Sequence, residues 1–164
     1  MEEEENKTLV LISSDGIKES ISQKSAIRSN YIKMVLDVNP DSIEIPLKIK
    51  GSMLKKIKEY LEHYENIEPI EIEKPLPSPN LKECVTEWDY NYIDIDLEEV
   101  FQLMLDSNYM GIKSLLELSS AKVAGIIKGK TSEEIKQIFN VQNDFTPEEE
   151  QQILEENKWA FENL

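Results

Sequence analysis

The feature that most restricts this chain is a change of period along its length: strand-like runs occur only before Gly51, and from Trp88 onward the pattern is helical. The first ordered run, Thr8-Leu9-Val10-Leu11-Ile12, is rich in β-formers. It ends at Ser13-Ser14-Asp15-Gly16, where Asp-Gly supplies the positive φ values of a tight hairpin turn. Ile17 to Ile21 is predicted to return as the partner strand, followed by a short helix near Ser25 and another from Ser29 to about Asp37. Asn39-Pro40-Asp41 breaks that helix, and Ile43 to Leu47 alternates as a strand whose end Pro46 demotes to an edge. Mixed elements followed only by helices predict an α+β domain with a helical extension.

The helical part carries strong local signals. Ser52 is the expected cap of a helix with Met53, Ile57, Tyr60, Leu61 and Tyr64 on one stripe. Residues 67–87 then hold four of the seven prolines, five glutamates and no periodicity, predicting an extended, mobile loop. Asp96 and Glu99 open a helix on which Leu97, Val100, Phe101, Met104, Leu105 and Asn108 share a broad face, with Gly111 as its stop. A helix over 113–128 ends at Gly129. Thr131-Ser132-Glu133-Glu134 is a capping box, and Thr146-Pro147-Glu148-Glu149 opens the last helix with proline at its first position.

Composition narrows the function classes. The 164 residues suffice for one domain with appended helices, and 40% apolar residues supply a core. A net charge of −15, from 33 acids against 18 bases, repels a phosphate backbone and argues against nucleic-acid binding. No stretch approaches the roughly 18–20 apolar residues that span a bilayer. The start Met1-Glu2-Glu3-Glu4-Glu5 is the reverse of a signal peptide. One cysteine, Cys84, permits no internal disulfide, so the chain is expected to be intracellular and soluble.

Catalytic parts are missing. Gly129-Lys130-Thr131 ends like a phosphate-binding loop, but the position that needs the first glycine is Ala124, and the residues between continue an amphipathic helix. His63 is the only histidine, and with Glu59 four residues before it makes at most a two-ligand metal site. Cys84 has no nearby histidine in sequence to activate it. The abundant acids read as a solvated face. The chain is therefore expected not to be an enzyme and to need no cofactor.

Helices that cap themselves yet carry more apolar side chains than a short tail can bury need a cover. Leu115, Leu116, Val123, Ile126 and Ile127 span a wide arc of the 113–128 helix, with Ser119 and Ser120 as gaps. The next helix, about Ser132 to Asn140 with Ile135, Ile138 and Phe139, is shorter than the roughly 12–15 residues that stand alone in water. On the last helix Ile153, Leu154, Asn157, Ala160, Phe161 and Leu164 form one stripe. Trp159 points about 180° from its centre, as an interface anchor does. The pattern alone leaves two covers open: the chain's own N-terminal domain, or a partner.

Several long motifs resemble the S-phase kinase-associated protein 1 family. They are Ser13-Ser14-Asp15-Gly16, Leu54-Lys55-Lys56, Trp88-Asp89 before Ile93-Asp94, and Asn108-Tyr109-Met110-Gly111-Ile112-Lys113-Ser114-Leu115-Leu116. Ile127-Lys128-Gly129-Lys130-Thr131-Ser132-Glu133-Glu134-Ile135, Asn143 to Glu150 and Glu156-Asn157-Lys158-Trp159 complete the set. The resemblance implies a disordered acidic segment at 1–6, a BTB/POZ fold over 7–112 with a flexible insert at 67–85, and a helical F-box-binding and dimerisation region over 113–163. It implies a non-catalytic adaptor of a cullin-based SCF ubiquitin ligase, in cytoplasm and nucleus. The cullin would bind at Asn108 and Tyr109, and F-box proteins at Leu116, Val123, Ile127, Ile135, Ile138, Phe139 and Trp159. Without an F-box protein, the exposed apolar helices predict a weak homodimer. An elongin C-like BTB protein is disfavoured, because members of that group end near the position of Ile112. Two positions depart from the family pattern: Ser132 stands where many members have proline, and Pro147 where many have glutamate. In protist branches a proline there is hydroxylated and then glycosylated, although a proline at a helix start needs no such explanation.

Overall fold

The computed structural model describes residues 7–141 and 145–158, in two compact units that divide between Lys128 and Gly129. The expectation for residues 1–6 lies outside the described residues. In the first unit β1 (Thr8–Ile12) lies at the centre of a three-stranded sheet. It pairs antiparallel with β2 (Lys18–Ser22), Thr8 opposite Ser22, and parallel with β3 (Glu44–Pro46), Val10 opposite Glu44. Alternation puts Leu9 and Leu11 in the core with Ile21 and Ile45 from the neighbouring strands. Pro46 sits on the edge strand, where its missing N–H breaks no ladder.

The hairpin is not the expected two-residue form. Among the described residues other than glycine only Asn140 has a positive φ, so Asp15 does not, and Gly16 alone is left-handed at φ 82°. Ser13 N–H donates to Ile17 O at 2.9 Å and Gly16 N–H to Ser13 O at 3.0 Å. This is the three-residue loop in which a left-handed glycine follows a type I turn.

Helices α1 (Gln23–Ala26) and α2 (Asn30–Val38) begin at the side-chain caps of Ser22 and Ser29. α3 (Gly51–His63) packs beneath the sheet through Met53, Leu54, Ile57, Tyr60 and Leu61. Ser52 does not cap it: the helix starts two residues earlier than such a cap requires, and the N-cap residue Lys50 makes no side-chain bond. The cap comes from the hairpin, where Asp15 Oδ1 accepts the Gly51 N–H at 2.8 Å.

The proline-rich stretch forms neither strand nor helix until a 3₁₀ turn at Leu81–Glu83, begun by the Asn80 side chain. It is nonetheless tied down, because Ile72 and Leu81 are buried in the core and Leu76 packs against it. After α4 (Glu87–Tyr92), α5 (Leu97–Met110) and α6 (Lys113–Ile127) pack side by side. The expected broad face of α5 divides in two. Val100, Leu103, Ser107 and Met110 point inward at helical spacing, whereas Phe101, Leu105 and Asn108 are exposed.

The second unit contains α7 (Ser132–Ile138) and α8 (Pro147–Glu156), each opened by a complete capping box, Thr131 with Glu134 and Thr146 with Glu149. Lys136 and Glu150 join them at 3.2 Å. Neither helix buries a residue fully. Among the described residues no helix is long and apolar enough to cross a membrane.

Candidate partner-binding surfaces

The groups that could suggest chemistry have structural roles here. His63 stacks flat on Trp88, centroids 3.6 Å apart and planes 1° from parallel, within a cluster that includes Tyr60, Tyr64 and Tyr92. Cys84 is half-buried, with Ser78 O and Asn80 O each 3.7 Å from its Sγ. Gly129 is a left-handed helix stop at φ 76°, and Thr131 caps α7. Among the described residues there is no cluster of three or more potential metal ligands.

Burial pushes the Asp106 carboxyl above the usual range, against the opposing hydrogen bond from Gln102. Asp106 is 6% exposed, Gln102 Nε2 donates to its Oδ1 at 2.9 Å, and among the described residues nothing donates to Oδ2. It sits on the inner side of α5 between Val100 and Met110 rather than in a cleft, which is a poor place for acid–base work.

The first exposed surface belongs to α5 and α2. The α5 positions Phe101, Leu105 and Asn108 recur at i, i+4 and i+7, with Leu105 65% exposed. Tyr109 at the edge of that stripe lies with its ring 5.0 Å from Tyr31 of α2. Further along α2, Met34 and Val38 are 67% and 88% exposed. Asn108 and Tyr109 are held by the end of α5. Gly111 takes φ 64° as the helix stop, and Ile112 N–H reaches back to Ser107 O at 2.9 Å, a six-to-one helix end. A Cβ at Gly111 would lie 2.9 Å from Asn30 Cβ, so glycine serves both the backbone angle and the close approach to α2. The buried Ser29 hydroxyl donates to Met110 O at 2.6 Å. Sequence reasoning placed Asn108 on the stripe with Phe101 and Leu105 but gave the inward-facing Val100 the same face. The competing 100, 103, 107, 110 spacing was the signal that separates the two faces.

A second stripe lies on α6, and the second unit carries exposed apolar residues of its own. Leu115, Leu118, Ser119 and Ala121 are buried, and Ser119 turns its hydroxyl back to Leu115 O at 2.7 Å. Leu116, Val123 and Ile127 are half-buried and share a different stripe, at i, i+7 and i+11. In the second unit Ile135 and Phe139 are half-buried and Ile138 is exposed, as are Phe145, Ile153 and Leu154. Trp159 lies outside the described residues. Pro147 is exposed at the first position of α8.

A small sheet with helices packed on it, followed by self-capping helices with exposed apolar side chains, is an α+β architecture with a helical part after it. Two family models match. Residues 7–66 match the Skp1 family tetramerisation domain, and residues 113–160 match the Skp1 family dimerisation domain. The S-phase kinase-associated protein 1 homolog of Tetrahymena thermophila is 50% identical over 147 residues, covering 89% of this chain and 87% of that protein. The E3 ubiquitin ligase complex SCF subunit sconC of Arthroderma benhamiae is 42% identical over 156 residues, 94% of this chain and 95% of that one. SKP1-like protein 12 of Arabidopsis thaliana is 39% identical over 158 residues, 96% and 99% of the two chains. The chain belongs to the Skp1 family.

Proposed function

We propose that the chain is a non-catalytic adaptor of an SCF-type E3 ubiquitin ligase, bridging a cullin scaffold to F-box substrate receptors for ubiquitin-dependent degradation. The observation that carries this reading is the pair of apolar faces left exposed or half-exposed on two neighbouring helices, the α5 stripe ending at Asn108 and Tyr109, and the α6 stripe of Leu116, Val123 and Ile127. Interface centres favour aromatic and aliphatic anchors beside a few oriented polar groups, which is the make-up of both. We assign the cullin to Asn108 and Tyr109, with Phe101 and Leu105 beside them. The F-box protein is assigned to the α6 stripe together with Ile135, Ile138, Phe139 and Trp159.

In domain terms, the proposal is a BTB/POZ domain over 7–112 with an insert at 67–85, then an F-box-binding and dimerisation region over 113–163. Family membership and the absence of apolar spans among the described residues support work in cytoplasm and nucleus. The exposed Phe145, Ile153 and Leu154 support weak self-association when no F-box protein is bound. Exposure of Pro147 leaves it open to hydroxylation and glycosylation.

The test is a pair of pull-downs on full-length protein. N108R/Y109E should lose the cullin and keep an F-box segment, and V123E/I127E should do the reverse. If either double variant loses both partners while remaining folded, or loses neither, the assignment of two faces is wrong.

A further inference from the structure

The insert does more than connect α3 to α4. Its 72–79 stretch lies over one side of α6. Lys74 Nζ meets Glu117 Oε1 at 2.6 Å, and Lys128 Nζ donates to Leu76 O at 2.6 Å. At Gly125 a Cβ would come within 3.0 Å of Pro79 O and 3.8 Å of Leu76 Cδ2, so the helix presents a bare backbone where the strap crosses. Strap and helix border a partly open apolar cavity of about 340 Å³, lined by Ile72 and Leu76 from one and Leu116, Ala121 and Ala124 from the other. Leu116 therefore belongs both to the proposed F-box stripe and to the wall of this cavity.

The fastenings suit release rather than permanence. Residues 67–80 form no strand or helix, so the strap is held by side chains and by single backbone acceptors. The Lys74 side chain is 66% exposed, and an ion pair so placed is weak. The cavity also shows that strap and helix do not interlock as a core does. Ile72, buried in the core, anchors the near end, and the 3₁₀ turn at Leu81 anchors the far end.

We propose that residues 73–79 are a releasable strap along the flank of α6 between Leu116 and Gly125, which covers the Leu116 edge of the proposed stripe in the free protein and must lift when an F-box helix docks there. This rests on the assignment of α6 to the F-box. A segment held in cis reduces the apparent affinity for the partner by the fraction of molecules that are covered.

The experiment uses the full chain, a purified F-box segment and the dye 1-anilinonaphthalene-8-sulfonate. K74E turns the ion pair into a repulsion, G125A pushes the helix against Pro79 O, and K74E/E117K restores the pair. Both single variants should bind the F-box segment on the order of fivefold more tightly, the loss of one weak fastening expressed as affinity. They should also raise dye emission, and the double variant should return both readings to wild type. G125A changes a position on the side of α6 opposite Leu116, so an effect there cannot come from a new contact with the F-box. Unchanged dye emission, or F-box binding that is unchanged or weaker in both single variants, overturns the cover. A dye response that follows the pattern, with no version binding the F-box segment, supports the cover and overturns the F-box assignment instead.

Discussion

Asp15, in the β1–β2 hairpin, caps α3 by accepting the backbone N–H of Gly51, 36 residues away, at 2.8 Å. The same Oδ1 accepts the Ser13 hydroxyl at 2.6 Å, and Ser13 Oγ in turn accepts Ile17 N–H at 2.8 Å. The hairpin thus holds the main core helix by the end that its own sequence leaves uncapped.

The Ser13 hydroxyl and then the Gly51 N–H hold the Asp15 carboxyl below the usual carboxylate range. A depressed folded pKa gives stability that is present above the unfolded value, about 3.9, and is lost as pH falls through the folded one. D15N should therefore be less stable than wild type at pH 7, and the gap should close as the pH is lowered below 4. Urea midpoints at several pH values measure it. A gap that stays constant into acid would assign the effect to geometry rather than charge.

Asp106 has the opposite sign. Burial favours its neutral form, so its contribution is most favourable below the unfolded value and is lost as pH rises through the raised folded value. D106N removes the charge and retains an acceptor for Gln102. At pH 7 it should be more stable than wild type, because the charged form that burial penalises is no longer present. Near pH 3 the two proteins should melt together. A less stable D106N at pH 7 would mean that the carboxylate has a donor not seen among the described residues.

Ser29 has two jobs in one hydroxyl, capping α2 by accepting Ile32 N–H at 3.3 Å and donating to Met110 O at 2.6 Å. S29A should cost about 1–2 kcal/mol. Because Met110 follows Tyr109, the variant should also weaken cullin binding more than F-box binding. Equal losses would show that Ser29 supports the whole domain and not this end of α5.

In the core, L54A should cost about 2–5 kcal/mol, since Leu54 is wholly buried between sheet and helix. Chemical denaturation would show it, and a loss below about 1 kcal/mol would mean that the sheet collapses readily onto α3.

What was legible in the sequence was local. The capping boxes at Thr131 and Thr146, the helix stops at Gly111 and Gly129, and the strand over Thr8–Ile12 all depend on neighbours within a few residues, and the structure has them in place. What was missed depends on distant residues. Ser52 looked like a cap because no local pattern reveals that Asp15 arrives from the hairpin. Phe101 and Leu105 were not separated from Val100 because an apolar side chain reads the same whether its neighbour is the chain's own domain or a partner. The strap was read as a detached loop because prolines and glutamates hide the few residues, Ile72, Leu76 and Leu81, that fasten it. The partner surfaces themselves became specific only through family resemblance.

The packing of α5 on α6 has a consequence for the reach of the proposed ligase. One helix carries the proposed cullin stripe and the other the first part of the proposed F-box stripe, and each buries a small residue, Ser107 on α5 and Ser119 on α6. Packed helices sit about 8–10 Å apart, at a distance set by the side chains between them. With both stripes docked as proposed, the pair would act as a gauge block whose thickness sets how far a captured substrate stands from the site of ubiquitin transfer.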